Sequence, residues 1–478
     1  MKLSSLLFGI SDIKTENFSD LDIRSVTVSS SSCKRGSLFV AIKGEKHDGC
    51  DFIGEAYARG ARVFVLSEKR TIPSDSVTIL SNNPRKTLAE LCSKISGNPE
   101  KKMMFVGITG TKGKTTTSVL LSKILDGMGI KNIAVGTLGV IGMEYPKYVN
   151  TTPDPTVLFP LFKEAQRRGV RVVILEVSSQ ALKDFRIFGI KFDSVGFTGL
   201  GRDHVGFSEH PTVSDYICSK RLLFTSYGAK RAVVNFDDPY SSYMSADIPK
   251  VIRCGLTENS EIVISDYSDN ADGSSFLISG VRVVTKLPGL YNARNTAIAL
   301  ALAREITGNS ISEGAGYVNS VKISGRYDRH VIDGKNIIID YAHNKDSVKE
   351  VIKLSRRLFG GKIICVFGSV GERSFKRRQE LAEVTEKYAD FSVITSDNPG
   401  YELPLSICAD IYSFFKDKTK AKIIVDRGNA ISYAIGLANV GDSVLLLGKG
   451  HETVMYISGK EIRFSDADFV NQYEKEAK

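Results

Sequence analysis

A chain of 478 residues is too long for one ordinary hydrophobic core, and at roughly 150 residues per domain about three are predicted. With 42% apolar and 25% charged residues the composition is that of a globular protein. No apolar run approaches the ~18 residues needed to cross a membrane, and residues 1–11 show neither a basic start nor a long apolar stretch, so no secretion signal and a cytoplasmic location are expected. The formal charge of +10 carries no long Lys/Arg tract or aromatic-interleaved basic stripe, which argues against nucleic acid and fits the attraction of small polyanions.

In chain order, SLFVAIKG (37–44), ARVFVLS and VTILS read as strands, and 52–59 and 84–96 as helices. Gly97-Asn98-Pro99 then breaks the pattern and sets the first boundary. The next segment starts with the strand KMMFVGIT, turns through a Gly-rich loop and enters a helix with Leu120, Ile124, Leu125 and Met128 on one side. VRVVILEVSS, FDSVGFTGL and RAVVNFDDP are apolar strands with polar endings. Such alternation predicts a parallel α/β sheet covered on both faces, with ligands beyond the strand C-termini. After Gly325-Arg326 the pattern restarts through NIIIDYAH, KIICVFGSVGER, FSVITSDNP, AKIIVDRG and SVLLLGKGHE as a further α/β unit. The expected domains are therefore 1–98, 99–325 and 326–478. Cys33, Cys50, Cys92, Cys218, Cys254, Cys365 and Cys408 form no CxxC pair and no zinc spacing, so buried free thiols are expected.

Residues 107–117, GITGTKGKTTT, lie between a strand and a helix. Backbone N–H groups, the helix N-terminus and Lys114 there supply positive potential for an anhydride phosphate, and the Thr115 hydroxyl suits Mg²⁺. Glycine is expected where the backbone must approach the phosphate. The strict G-x4-GK[ST] spacing is not met, because position 108 is Ile, yet ATP binding is the expected function of the loop.

With TTPD at 151–154, EVSS at 176–179, RDH at 202–204, DYAHN at 340–344, DNP at 397–399 and GKGHE at 448–452, the chain resembles the Mur ligase family over nearly its whole length. The resemblance implies a uridine-binding N-terminal domain, a central P-loop ATPase sheet and a Rossmann-like C-terminal domain. It also implies an activity: ATP-dependent addition of a diamino acid to UDP-MurNAc-L-Ala-D-Glu in peptidoglycan precursor synthesis, with a monomer expected. Gly110, Thr111, Lys112, Gly113, Lys114, Thr115 and Thr116 would form the nucleotide loop. Asn292, Asn295, Arg326, Asp340, His343 and Asn344 fall on adenosine- and phosphate-contact motifs. Glu176 and His204 match magnesium positions, and Lys220 matches the lysine whose CO₂-derived carbamate (N6-carboxylysine) helps hold a second Mg²⁺. Ser30 stands at the uridine contact, although Ser29 and Ser31 replace the family's usual Asp and Arg. Thr151, Thr152, Ser178 and Arg186 match the muramyl-dipeptide site, and Gln180 stands where His is usual. Asp397, Asn398, Gly448 and Glu452 fall on the incoming amino acid.

The implied chemistry is attack of the D-Glu γ-carboxylate on the ATP γ-phosphate, then of the amine on the acyl phosphate. In the family an Arg after DNP clamps the far carboxylate of diaminopimelate; here Gly400 follows, a loss on the order of 1.5–3 kcal/mol for that substrate, so L-lysine is expected. Diaminopimelate or ornithine, a Mur-like paralogue acting on another polyanion such as a folate, and a non-catalytic ATP-binding regulator are the alternatives.

Overall fold

The computed structural model describes residues 1–44, 47–201, 210–372 and 375–476. Two compact units emerge, one built from Met1–Val263 and Arg294–Gly314, the other from Ile264–Ala293 and Ala315–Lys478. No helix among the described residues is long and apolar enough to cross a membrane.

The first unit opens with a five-stranded sheet in the order Ile13–Glu16, Val77–Ser81, Val63–Leu66, Ser37–Val40, Ser25–Thr27, antiparallel only at its first pair. Its middle strands are fully buried runs such as VFVL, which hide on both faces because β-branched and aromatic side chains fill a pleated surface. The helix Pro84–Ser96 has Pro at its first turn, the Asn83 side chain accepting from Lys86 N (3.1 Å), and Gly97 in the left-handed conformation (φ 88°) at its end. The 84–96 reading and the break at 97–99 coincide with that geometry.

A second sheet in this unit is parallel through Lys250–Gly255, Arg231–Asn235, Ser194–Phe197, Met104–Thr109, Val172–Glu176 and Asn132–Gly136, with Gly139–Ile141 antiparallel at the edge. From Met104–Thr109 the chain goes out to Asn132–Gly136 on one side, and later crosses to Ser194–Phe197 on the other. Strand order therefore reverses at Met104–Thr109, which opens a crevice beyond its C-terminal end. The following helix, Lys114–Gly127, has its first half wholly sunk between sheet and neighbours; Leu120, Leu121, Ile124 and Leu125 are 0% exposed. Each such side chain contributes about 1.5–3 kcal/mol by leaving water.

In the second unit, a meander of Ile262–Asn270, Gly273–Ile278 and Val281–Thr285 precedes a six-stranded sheet. The order of that sheet is Asp328–Ile332, Lys335–Asp340, Ser443–Leu447, Ile363–Phe367, Phe391–Ile394, Ala421–Ile423, parallel except for the first pair. The helices Lys345–Phe359, Phe375–Tyr388 and Pro404–Ser413 cover one face; Arg427–Leu437 and Asp466–Glu476 cover the other. This is the doubly covered parallel arrangement expected from the alternation of strands and helices.

Candidate active site

The loop after Met104–Thr109 is held from below. Thr111 N donates to Gly199 O (2.8 Å), and the Thr198 hydroxyl, at the end of a neighbouring strand, reaches Lys112 O (2.5 Å) and Thr109 O (3.2 Å). A Cβ on Gly110 (φ 151°) would lie 2.0 Å from Thr198 Oγ1, and one on Gly113 (φ 86°) 2.4 Å from Asn295 Oδ1. The side chains packed beneath the loop thus require glycine at these positions, a reason that stands beside the phosphate approach expected from the sequence. Asn295, assigned to the nucleotide from sequence, braces the loop itself.

Two lysines converge on one carbonyl. Lys114 Nζ donates to Gly110 O (2.8 Å) and Thr111 O (3.2 Å), and Lys220 Nζ, 2% exposed, donates to Gly110 O (3.1 Å). Lys220 comes from the helix Val213–Thr225 and lies over the Tyr216 ring (4.6 Å), whose hydroxyl meets Thr111 Oγ1 (2.8 Å). Lys114, half-buried, and Lys220, buried, thus meet at the rim of the Gly-rich loop, where the Lys114 ammonium places positive charge for a polyphosphate.

Glu176, 1% exposed at the C-terminal end of Val172–Glu176, accepts from Thr115 Oγ1 (2.8 Å), Ser118 Oγ (3.4 Å), Thr137 N (3.2 Å) and Thr137 Oγ1 (3.2 Å). Gly136 makes room, since a Cβ there would fall 2.0 Å from Glu176 Oε1. Carboxylate and hydroxyl oxygens of this kind are hard donors that fit Mg²⁺. Thr137 Oγ1 also meets Thr151 Oγ1 (3.1 Å), and Thr152 Oγ1 donates to Glu176 O (2.8 Å) and accepts from Ser178 N (3.0 Å). Arg186 donates to Thr152 O (3.1 Å) and lies between Asp184 (3.2 Å) and Asp154 (3.2 Å), so its charge already has carboxylate partners. The structure thus brings together Lys114, Thr115, Thr151, Thr152, Glu176, Ser178, Arg186 and Lys220. Thr116 is buried in the same helix, and His204 lies outside the described residues. Sequence reasoning missed Thr137, Thr198 and Tyr216, which sit in no motif and are recruited only by the fold.

Ser30 sits apart from that cluster in the chain's first sheet region, its hydroxyl donated to Glu55 Oε2 (2.7 Å), while Ser29 and Ser31 pair with one another (2.7 Å). Five cysteines are buried as expected, but Cys50 is half-buried and Cys218 exposed, because position 218 faces outward on its helix.

Within the second unit, Asp340 ends its strand by accepting from Tyr327 N (2.7 Å) and Ala342 N (2.8 Å). Tyr341 is stacked about by Arg326 (4.5 Å), His343 (4.9 Å) and His451 (5.1 Å), and a Cβ on Gly325 would strike His451 N at 2.2 Å. Gly325-Arg326 and the DYAHN and GKGHE motifs therefore meet. Asn344 caps the helix Lys345–Phe359 by accepting from Ser347 N (3.0 Å), and Asn292 Nδ2 donates to Pro288 O (2.8 Å).

A second cluster in this unit joins DNP to GKGHE. Asn398 Nδ2 donates to Glu452 Oε2 (2.9 Å), Lys449 Nζ lies 3.2 Å from the same oxygen, and a Cβ on Gly448 would come 2.7 Å from Asp397 Oδ2. Asp397 is 3% exposed; burial pushes its carboxyl above the ordinary range, opposed by Arg427 and Lys449. Arg427, itself buried, forks onto Asp466 through two 2.7 Å bonds and caps Leu447 O (3.0 Å). Gly400 has φ 62°, and a Cβ there would lie 3.1 Å from Glu372 Oε2.

Three family profiles match in succession: "Mur ligase family, catalytic domain" over 22–94, "Mur ligase middle domain" over 108–303, and "Mur ligase, glutamate ligase domain" over 325–450. The chain belongs to the Mur ligase family. A UDP-N-acetylmuramoyl-L-alanyl-D-glutamate–2,6-diaminopimelate ligase of Aquifex aeolicus (strain VF5) is 36% identical over 456 residues, covering 94% of this chain and 93% of that one. The enzyme of the same name from Geobacillus kaustophilus (strain HTA426) is 35% identical, with 98% of each chain covered. Among solved structures, one of a ligase of that name superposes with TM-score 0.68 at 25% identity, covering 100% of this chain and 99% of the other. The MurF ligase of Thermotoga maritima, in complex with ADP, shares the Mur ligase fold with TM-score 0.64 at 23% identity, covering 90% and 95%. The three-domain α/β Mur ligase architecture read from the motifs is therefore the architecture of this chain.

Proposed function

We propose that this Mur ligase joins a diamino acid to UDP-MurNAc-L-Ala-D-Glu at the expense of ATP, in the cytoplasm where both UDP-linked precursor and ATP are available. The observation that carries the reading is the meeting of Lys114, Lys220 and the Thr115–Glu176 pair beyond the strand where sheet order reverses. A triphosphate, a divalent cation and a carboxylate are the groups that such a set of charges accommodates. We place the working domains at 1–98 for the UDP moiety, 99–325 for ATP and 326–478 for the incoming amino acid.

In the first step the D-Glu γ-carboxylate attacks the γ-phosphorus and ADP leaves. Lys114 neutralises the charge spread over the transferring group, and the loop N–H groups orient it. Thr115, Glu176, His204 and a carbamate on Lys220 would hold Mg²⁺, which when bound screens the phosphate oxygens from the approaching carboxylate. Thr151, Thr152, Ser178 and Arg186 orient the muramyl dipeptide, and Ser30 faces the uridine. Arg326, Asp340, His343, Asn292, Asn295 and Asn344 serve the nucleotide. In the second step the α-amine attacks the acyl carbon as the free base and phosphate departs. Asp397, Asn398, Gly448 and Glu452 receive the amino acid.

L-Lysine is the proposed amino acid. An Arg at position 400 would pay about 1–3 kcal/mol for a left-handed backbone and would start beside the Glu372 carboxylate. The names of the relatives favour diaminopimelate as the second reading. A panel of L-lysine, meso-diaminopimelate and L-ornithine, read by phosphate release and the mass of the UDP product, decides. Lysine-dependent product is expected; preference for diaminopimelate would overturn the lysine assignment, and silence with every amine the ligase itself.

A further inference from the structure

His210 is 0% exposed and takes no part in the assignments above. Its Nδ1 lies 2.6 Å from Asp215 Oδ2 and its Nε2 2.9 Å from Ser179 Oγ. An ionised carboxylate only accepts, so Nδ1 carries a proton toward Asp215, and Nε2 pairs with the Ser179 hydroxyl, which can either donate or accept. The hydrogen bond from His210 holds the Asp215 carboxyl below its ordinary range. Asp215 is in the first turn of Val213–Thr225, where its N–H donates to the capping Thr212 hydroxyl (3.1 Å). Ser179 opens the helix Ser179–Lys183, next to Ser178 and three residues beyond Glu176.

The chain Ser179–His210–Asp215 thus spans from the turn bearing Glu176 and Ser178 to the helix bearing Lys220. A serine, an imidazole and a carboxylate in this order can activate a nucleophile, but Ser179 is 6% exposed and its hydroxyl is turned into the protein. The two helices also pack against one another, and among the polar contacts of the described residues the Lys183–Asp215 pair (3.1 Å) joins them as well, an exposed contact of little holding power.

We propose that His210 is a positioning residue for the ligase reaction, fixing the Lys220 helix against the Glu176–Ser178 turn. This rests on the function proposed above. Misplacement of a reacting group by about an ångström can cost on the order of 10²-fold in rate.

Two substitutions divide the links. His210→Asn ends at the reach of Nδ1 and keeps only Asp215, whereas His210→Gln extends to the reach of Nε2 and keeps Ser179. With a wild type that forms the amide as its control, His210→Asn is expected to lower kcat on the order of 10²-fold, with KM for ATP unchanged; His210→Gln, which keeps the Ser179 bridge and is joined through the backbone to the Lys220 helix three residues on, should be clearly less impaired. Ser179→Ala should match His210→Asn, and the double variant should be no worse than either, since one chain is broken in each. Unchanged kcat in folded His210→Asn, or losses in both variants that merely follow Tm, would overturn the inference. Should His210→Asn not fold, Ser179→Ala decides by the same kcat criterion. A silent wild type would instead remove the ligase reading.

Discussion

Asp397 illustrates how far a single side chain can be taken from its behaviour in water. Burial raises its carboxyl pKa, and the raised value means that folding favours the protonated form; that contribution is full below the unfolded pKa of about 3.9 and is lost as pH rises through the folded value. Holding an ammonium group requires the opposite, ionised state. The acid limb of kcat/KM for the diamino acid is therefore expected above the usual carboxylate range, and Asp397→Asn, which cannot titrate, should lose that limb along with most of the affinity. A pH profile of both proteins checks this; an unchanged limb in the variant would assign the titration elsewhere. Asp397 was legible in the DNP motif. Its counter-charge was not: Arg427 and the Asp466 that pairs with it, 39 positions apart, look like surface residues until the fold buries them together.

Most central strands were legible, although Asn132–Gly136, buried at every position, went unread. Runs such as VVILE, IICVF and SVLLL announce central strands because both faces are covered. Ile13–Glu16, Ser25–Thr27 and Lys460–Arg463 went unread, since a partly or fully exposed edge strand needs neither an apolar run nor strict alternation. The Gly-rich loop lies between the strand and helix expected of it, while a further reason for its glycines lay in Thr198 and Asn295, which only tertiary structure supplies. Helix ends carry a test of their own. Asn344 and Ser347 form a reciprocal capping box on Lys345–Phe359. Asn344→Ala should cost about 1 kcal/mol in urea unfolding, and Asn344→Asp, which keeps the acceptor oxygen, should cost far less; equal losses would show that the cap is not what Asn344 contributes.

At the scale of the molecule, the ATP loop belongs to the unit containing Met1–Val263, and a ligand that binds only the folded loop must stabilise that unit. At 100 times its Kd, Mg-ATP is expected to add about 2.7 kcal/mol and to raise a calorimetric transition. Lys114→Ala should abolish the shift without lowering the transition of the unliganded protein by a comparable amount; a shift retained in the variant would place the nucleotide elsewhere. Each unit is stitched from two separated stretches of chain, and this has a bearing on biosynthesis. When Val263 leaves the ribosome, the first unit still lacks Arg294–Gly314, and with it the Asn295 amide that underlies Gly113. A nascent chain halted before that stretch would expose an unsupported phosphate loop, so nucleotide competence should be acquired late in translation, and a truncation at the apparent end of the first unit should yield a protein unable to retain ATP.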